Sequence, residues 1–433
     1  MGCLHDVATV GASTFQKTHL AGGKMGSKLF LALQYSALSV SGSHQTVMEP
    51  ITNLHHRPTL SPPRADRGIT ARMMIMNKVL TKFVQKVGLG LAGAAACAAI
   101  AFAADNDRGR RDLDRVFVII MENHGFDEVI GPLVNPDNTG DPNEPLLTPF
   151  ITNLAFTQGL ATFYFGVTHP SLPNYLATIA GDFFGVQDDN DSCFATPVTS
   201  TPCHNFTAPT IVDQLEARNI SWEAFMESAP SIGFLGSRFP VAETAQKLYA
   251  QKHNPFVYFN SIATNPSRLA KIKPFDLTVF KAELSNPKQM PRYVYIVPNQ
   301  CNDQHGTGGT IPPGSADWST DTLTLAAGDK FLADVVPATA GSDSFTRRSA
   351  IFIVWDENDF SGQLSCCKPS PTGVGGGHAT GFVVTKKGKS VRSAVAMDHY
   401  SLLATIEDGF GLPRLANAQT ANTMFSLFPD SDD

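Results

Sequence analysis

Four short apolar runs constrain the fold of this chain more than any other feature of its 433 residues: Val116–Met121, Tyr293–Val297, Ala350–Trp355 and Gly381–Thr385. An apolar stretch of this length, with no polar alternation, reads as a strand buried on both faces. Helical patterns lie between the runs, around residues 209–218, 320–336 and 399–410. In the last of these, Asp398 suits the N-cap, Leu402, Leu403, Ile406 and Phe410 share one face, and Gly411-Leu-Pro ends the pattern. Strands alternating with helices predict a three-layer α/β/α domain around a mostly parallel central sheet. In such a sheet functional residues gather beyond the carboxyl ends of the strands.

The candidates stand there. Glu122 and Asn123 follow the first run directly, and Asp356 and Glu357 follow the third. Asp303 and His305 come a few residues after the second, and His378 precedes the fourth, behind a glycine-rich turn. Each alone has a bland explanation, as a turn cap, a solvated loop or a hydrogen-bonded histidine. Their recurrence at successive strand ends is the signal, since a buried carboxylate is costly unless paired or metal-bound.

Residues 168–181, Thr-His-Pro-Ser-Leu-Pro-Asn-Tyr-Leu-Ala-Thr-Ile-Ala-Gly, supply a hydroxyl at a helix start. Pro173 suits the first turn, Leu172, Leu176 and Ile179 recur at helical spacing, and Gly181 suits the stop. Ser171 then sits over free N–H groups that favour an anion, although capping the helix is its simplest task. With the acids, a second chemistry opens. Glu122, Asn123, Asp356 and Glu357 can form an oxygen-rich site for a divalent metal ion around a nucleophilic Ser171. Asp303, His305 and His378 can form a second metal site or supply acid–base groups. Asn174, one turn beyond the serine, can donate its amide to a phosphoryl oxygen.

The rest of the chain sets bounds. From Met76 a basic stretch leads into an apolar run, Val87–Phe102, with small residues at Ala101 and Ala103. This reads as a secretory signal peptide over residues 76–103 and predicts export, periplasmic or secreted. Residues 1–75 read as an extension upstream of the native start, or a segment without fixed structure. Residues 104–433 then form the catalytic domain, with no membrane span left after cleavage. They carry 23 Lys and Arg against 36 Asp and Glu, a net charge of −13. Bulk charge of that sign argues against nucleic acid as a partner. Export permits disulfides; Cys193–Cys203 is the first expected pair, and Cys301 with Cys366 or Cys367 the second.

Met-Glu-Asn-His-Gly-Phe-Asp (121–127), Thr-His-Pro-Ser-Leu-Pro-Asn-Tyr (168–175), Pro-Asn-Gln-Cys-Asn-Asp-Gln-His (298–305), Trp-Asp-Glu-Asn-Asp (355–359) and Asp-His-Tyr-Ser-Leu-Leu-Ala-Thr-Ile-Glu-Asp (398–408) resemble the exported phosphoesterase family. That family holds bacterial acid phosphatases and phospholipase C enzymes and is related to the alkaline phosphatase superfamily. The resemblance implies an alkaline-phosphatase-like fold, Glu122 and Asn123 as metal ligands, Ser171 as nucleophile, and Asp356 and Glu357 as the acidic pair. Asp303, His305 and His378 match positions that bind metal or phosphate in the wider superfamily. It implies a small phosphate ester or a phospholipid headgroup as substrate. Asn358-Asp359-Phe360 after the acidic pair is closer to the acid phosphatase branch and tilts the expectation toward phosphate monoesters. The rivals are a phospholipase C or other phosphodiesterase, with Phe183, Phe184, Phe234 and Phe239 at an apolar entrance, and an inactive surface binding protein.

Overall fold

The computed structural model describes residues 112–130, 147–242, 245–308, 320–359 and 375–429. The expected signal peptide and the extension before it lie outside these residues. Eleven strands are described: β1 (Arg115–Met121), β2 (Gly159–Phe165), β3 (Trp222–Glu227), β4 (Arg238–Phe239), β5 (Tyr249–Ala250), β6 (Ile272–Phe275), β7 (Tyr293–Val297), β8 (Ser349–Trp355), β9 (His378–Thr385), β10 (Val391–Ser393) and β11 (Met397–Asp398). The main sheet runs β10-β2-β9-β8-β1-β7-β3-β6, with β11 added beside β2; β4 and β5 form a separate ribbon. The pairs β8-β1, β1-β7, β7-β3 and β3-β6 are parallel. Only β9 among the described strands of this sheet runs against its neighbours, antiparallel to both β2 and β8.

All four apolar runs are strands. β1, β7 and β8 are buried along their whole length, as a sheet covered on both faces requires. The helices fall into two sets around the sheet. Ser171–Ala180 packs with His399–Phe410 and Ile211–Ala217, whereas Asp321–Ala340 packs with Pro149–Thr157 and Leu277–Leu284. The three-layer α/β/α arrangement with a mostly parallel sheet is therefore the one observed. Asp398 caps its helix by accepting from the Ser401 N–H at 3.0 Å, and Gly411 ends it at φ 68°. Cys193 and Cys203 are disulfide-bonded, and Cys301 is in a disulfide too; its expected partners, Cys366 and Cys367, lie outside the described residues.

Glu407, on the helix His399–Phe410, is fully buried and accepts from the Leu415 N–H at 2.9 Å. Burial pushes its carboxyl up to about 8, against the opposing pull of Leu415, Gln214 and Arg414; nearby Asp408 adds to the rise. A carboxyl raised on folding subtracts stability as pH climbs from its unfolded value toward its folded one. Glu407→Gln keeps the acceptor and discards the charge. Its unfolding free energy at pH 8.5 should exceed the wild type's by on the order of 2 kcal/mol, with no gain near pH 4. Parallel denaturant curves at the two pH values check this, and an equal difference at both would be the contrary result.

Candidate active site

The site begins where β1 and β8 end side by side. Glu122, buried, donates its N–H to the Asp303 carbonyl at 2.8 Å, which ties the first strand end to the loop after β7. Asn123 takes φ 42°, a left-handed conformation that asparagine tolerates, and donates its N–H to Asp356 Oδ1 at 3.0 Å. The same oxygen accepts from the Glu357 N–H at 2.7 Å. Asp356 N in turn donates to the Met121 carbonyl at 3.0 Å, so the two strand ends are laced together by main chain.

Behind this lacing the backbone leaves no room. A Cβ on Gly166 would lie 2.6 Å from the Asp356 carbonyl oxygen and 2.8 Å from that of Gly376. One on Gly376 would lie 2.4 Å from the Gly166 backbone. The Asp356 carbonyl also accepts from His399 Nε2 at 2.6 Å, and His399 Nδ1 meets the Tyr164 hydroxyl at 2.9 Å. With Nε2 donating, Nδ1 is the acceptor. Burial holds His399 down to about 4, which keeps the neutral ring this chain of bonds needs.

Ser171 is the first residue of the helix Ser171–Ala180. Its Oγ lies 3.0 Å from Glu122 Oε2, 3.1 Å from Glu357 Oε1 and 3.3 Å from Lys252 Nζ. A hydroxyl has one proton and can serve only one of the two carboxylates at a time. Glu122, Asp356 and Glu357 each offer an oxygen within 4.8 Å of the other two. Burial raises Asp356 well above the usual carboxylate range, with repulsion from Glu122 and Glu357 adding to it. Burial also raises Glu357 to about 7, opposed by its contact with His169 Nδ1. Glu122 goes the other way: burial would raise it, but His253, Lys252 and His305 together hold it below the usual range. Asn123 Oδ1 and Asp356 Oδ2 are buried without a hydrogen-bond partner. Mutually repelling carboxylates with orphaned oxygens around one hydroxyl are a hard-donor set that fits a divalent cation.

Sequence reasoning missed the cationic side of the site. Lys252 and His253 lie on a single 3-10 turn, Gln251–His253, after β5. Lys252 Nζ bonds Asp189 Oδ2 at 3.0 Å and meets His305 Nε2 at 3.2 Å. His253 Nε2 is 2.8 Å from Glu122 Oε1, and its Nδ1 is 3.3 Å from Asp303 Oδ2. Burial lowers His253, yet Glu122 and Asp303 outweigh it and raise the ring overall. The His253 ring stacks on Tyr175, centroids 5.1 Å apart. Glu122, His253 and His305 form a second group whose donor atoms lie within 4.8 Å of one another. Asp303 stands behind it, orienting His253 and accepting from the His305 N–H at 2.8 Å.

Two expected residues have other tasks. Asn174 is buried, and both hydrogens of its amide are used, on the Thr168 carbonyl at 2.6 Å and the Pro170 carbonyl at 3.2 Å. Its Oδ1 accepts from Val167 N and Thr168 N. One helical turn past the serine, its side chain points back at the preceding loop, so it shapes that loop and has no amide hydrogen for a phosphoryl oxygen. His378 stands at the right end of the sheet, because β9 is reversed, but outside the cluster. Its ring stacks on Phe126 at 4.6 Å, and its Nε2 bonds the Thr162 carbonyl at 3.0 Å. The aromatics considered for an apolar entrance largely pair among themselves: Phe184 stacks on Phe206 at 4.5 Å, and Phe234 meets Phe239 and Tyr249 edge-on.

A buried serine at a helix start thus faces strand-end carboxylates on a mostly parallel sheet. The chain belongs to the phosphoesterase family, whose model matches residues 144–413. It is similar to a protein named probable acid phosphatase from Kluyveromyces lactis, 32% identical over 302 residues, 70% of this chain and 59% of that one. It thus spans under two thirds of that relative's length. It is also 28% identical to a phosphatidylinositol-3-phosphatase of Mycobacterium tuberculosis, over 65% of this chain and 76% of the other. A structure from Vibrio parahaemolyticus described as a protein in the alkaline phosphatase superfamily aligns with a TM-score of 0.46 and 11% identity, covering 72% of this chain and 71% of that one.

Proposed function

We propose that this protein is an exported, metal-dependent phosphoesterase that hydrolyses phosphate monoesters through Ser171. The observation that carries the reading is the convergence of Glu122 and Glu357 on Ser171 Oγ, at 3.0 and 3.1 Å. Glu122, Asn123, Ser171, Asp356 and Glu357 would hold the cation, which supplies Lewis-acid stabilisation of the serine oxygen and of the phosphoryl charge. The residues do the rest. The Ser171 hydroxyl yields its proton to a neighbouring carboxylate as Oγ bonds phosphorus and the bond to the leaving oxygen breaks. Water then hydrolyses the phosphoserine, releasing phosphate and restoring the hydroxyl. His305 suits proton transfer in that step. Its Nδ1 meets the Gly306 carbonyl at 2.9 Å, so Nε2 carries the lone pair and faces Lys252 Nζ at 3.2 Å, and burial with Lys252 nearby lowers the ring to about 4.

Support for export comes from the Cys193–Cys203 disulfide, a bond that persists in oxidising compartments. Support for monoesters comes from the relatives named as an acid phosphatase and a phosphatidylinositol-3-phosphatase, and from the pairing of the aromatics that a lipid-tail entrance would use. The rival is a phospholipase C or another phosphodiesterase on the same fold. Side-by-side turnover of p-nitrophenyl phosphate and a phosphocholine diester decides between them. Faster hydrolysis of the monoester is expected; faster hydrolysis of the choline ester would overturn the preference.

A further inference from the structure

Resting on the phosphoesterase reading of Ser171, we propose that Lys252 binds the phosphoryl group directly and makes the site select phosphate monoesters over diesters, with Asp189 as its positioning residue. Lys252 Nζ sits 3.3 Å from the serine oxygen that would bond phosphorus, within reach of non-bridging oxygens two bonds further out. Its other two contacts are Asp189 Oδ2 at 3.0 Å and His305 Nε2 at 3.2 Å. An ammonium has three donors; Asp189 and His305 hold two, and the third, on Ser171 Oγ in the free site, is the one that turns to a non-bridging oxygen when phosphorus is bound there. The side chain is 11% exposed, so its reach is fixed by packing rather than by solvent.

Asp189 acts as a bracket. One oxygen holds Lys252 and the other accepts from the Leu172 N–H at 3.0 Å, the peptide directly after the nucleophile. The same carboxylate therefore fixes the ammonium relative to the serine. Asp189 lies four residues before Cys193, just outside the loop that the Cys193–Cys203 disulfide closes. No strand or long helix sets the position of Lys252, and this bracket does instead.

Charge explains the selectivity. Ser171 faces Glu122 and Glu357, with Asp356 beside them and Asp303 behind. A monoester is close to a dianion above a pH of about 6, whereas a diester carries one charge. Among carboxylates the second charge is a liability unless a fixed cation meets it, and the attraction to a point charge scales with the charge it meets. Lys252 thus favours the monoester more than the diester.

The test uses the purified protein and its Lys252→Met and Asp189→Asn variants, assayed on p-nitrophenyl phosphate and bis-p-nitrophenyl phosphate. Lys252→Met should lower kcat/KM for the monoester by about 10²–10³-fold, the range for losing one transition-state donor. Diester hydrolysis should fall far less, shifting the monoester/diester ratio at least tenfold, while the inhibition constant of inorganic phosphate rises at least tenfold. Asp189→Asn should shift the ratio the same way by a smaller factor. A purely structural role would depress both esters alike and leave the ratio and the phosphate inhibition unchanged, which overturns the assignment. If Lys252→Met shows no cooperative melt, the ratio in Asp189→Asn decides instead. A wild type that hydrolyses neither ester would remove the underlying reading itself, a result distinct from an unchanged ratio.

Discussion

Ser171→Ala should lower monoester turnover by about 10⁴–10⁶-fold while the protein keeps its melting temperature within a few degrees. The size follows from deleting the attacking atom, after which only binding and charge stabilisation persist. The fold should survive because Ser171 opens its helix without capping it: the residue before it, Pro170, holds the N-cap position and the Leu172 N–H is met by Asp189. What the variant loses locally is the hydroxyl between Glu122 and Glu357. Acid-quenched wild-type protein mixed with substrate should carry phosphate on the peptide containing Ser171, and the variant should carry none. Turnover within tenfold of wild type would take the serine out of the mechanism.

Removing the proposed metal ion should be almost as severe and should leave a second, structural signature. Prolonged chelation should cut activity by two or more orders of magnitude, restored by a divalent cation. It should also lower the melting temperature, since Asp356, with an oxygen that has no partner, then faces Glu122 and Glu357 in a buried site. Asp356→Asn separates the two effects. The asparagine oxygen can still accept from Asn123 N and Glu357 N, and its NH₂ replaces an oxygen that has no partner. This variant should lose about 10³-fold in kcat/KM and at least tenfold in metal affinity. In chelator, however, it should melt above the wild type, by the equivalent of about 1–2 kcal/mol. Calorimetric titration of the metal and thermal melts in chelator check both. Unaltered metal affinity and turnover in Asp356→Asn would sink the proposed ligand set.

The carboxylate half of the site is legible in the sequence because β1 and β8 are uninterrupted apolar runs that stop at an acid. The pattern survives without knowledge of which strands are neighbours, and parallel pairing then brings Glu122 and Asp356 together. Other strands were harder to see. β2 mixes Thr162 and aromatics across a register shift, and β3 carries Glu223 and Glu227 in six residues. The cationic half has no periodic signature at all. Lys252 and His253 follow a two-residue strand on a single turn, and only tertiary contacts bring them to Ser171. A lysine and a histidine adjacent in an acidic chain were the one available hint. Asn174 and His378 mislead for geometric reasons. The first lies within reach of its own preceding loop, and the second opens β9 three residues before the apolar run begins, pointing into Phe126.

The contact between Gly166 and Gly376 divides the site into an immovable part and an adjustable one. Because main chain touches main chain behind Asp356, a side chain added at either glycine would push into the backbone at the ends of β2 and β9 that backs this acid. Retuning of substrate choice on this scaffold therefore falls to the short turn that delivers the lysine and the segment ahead of Cys193 that delivers its aspartate.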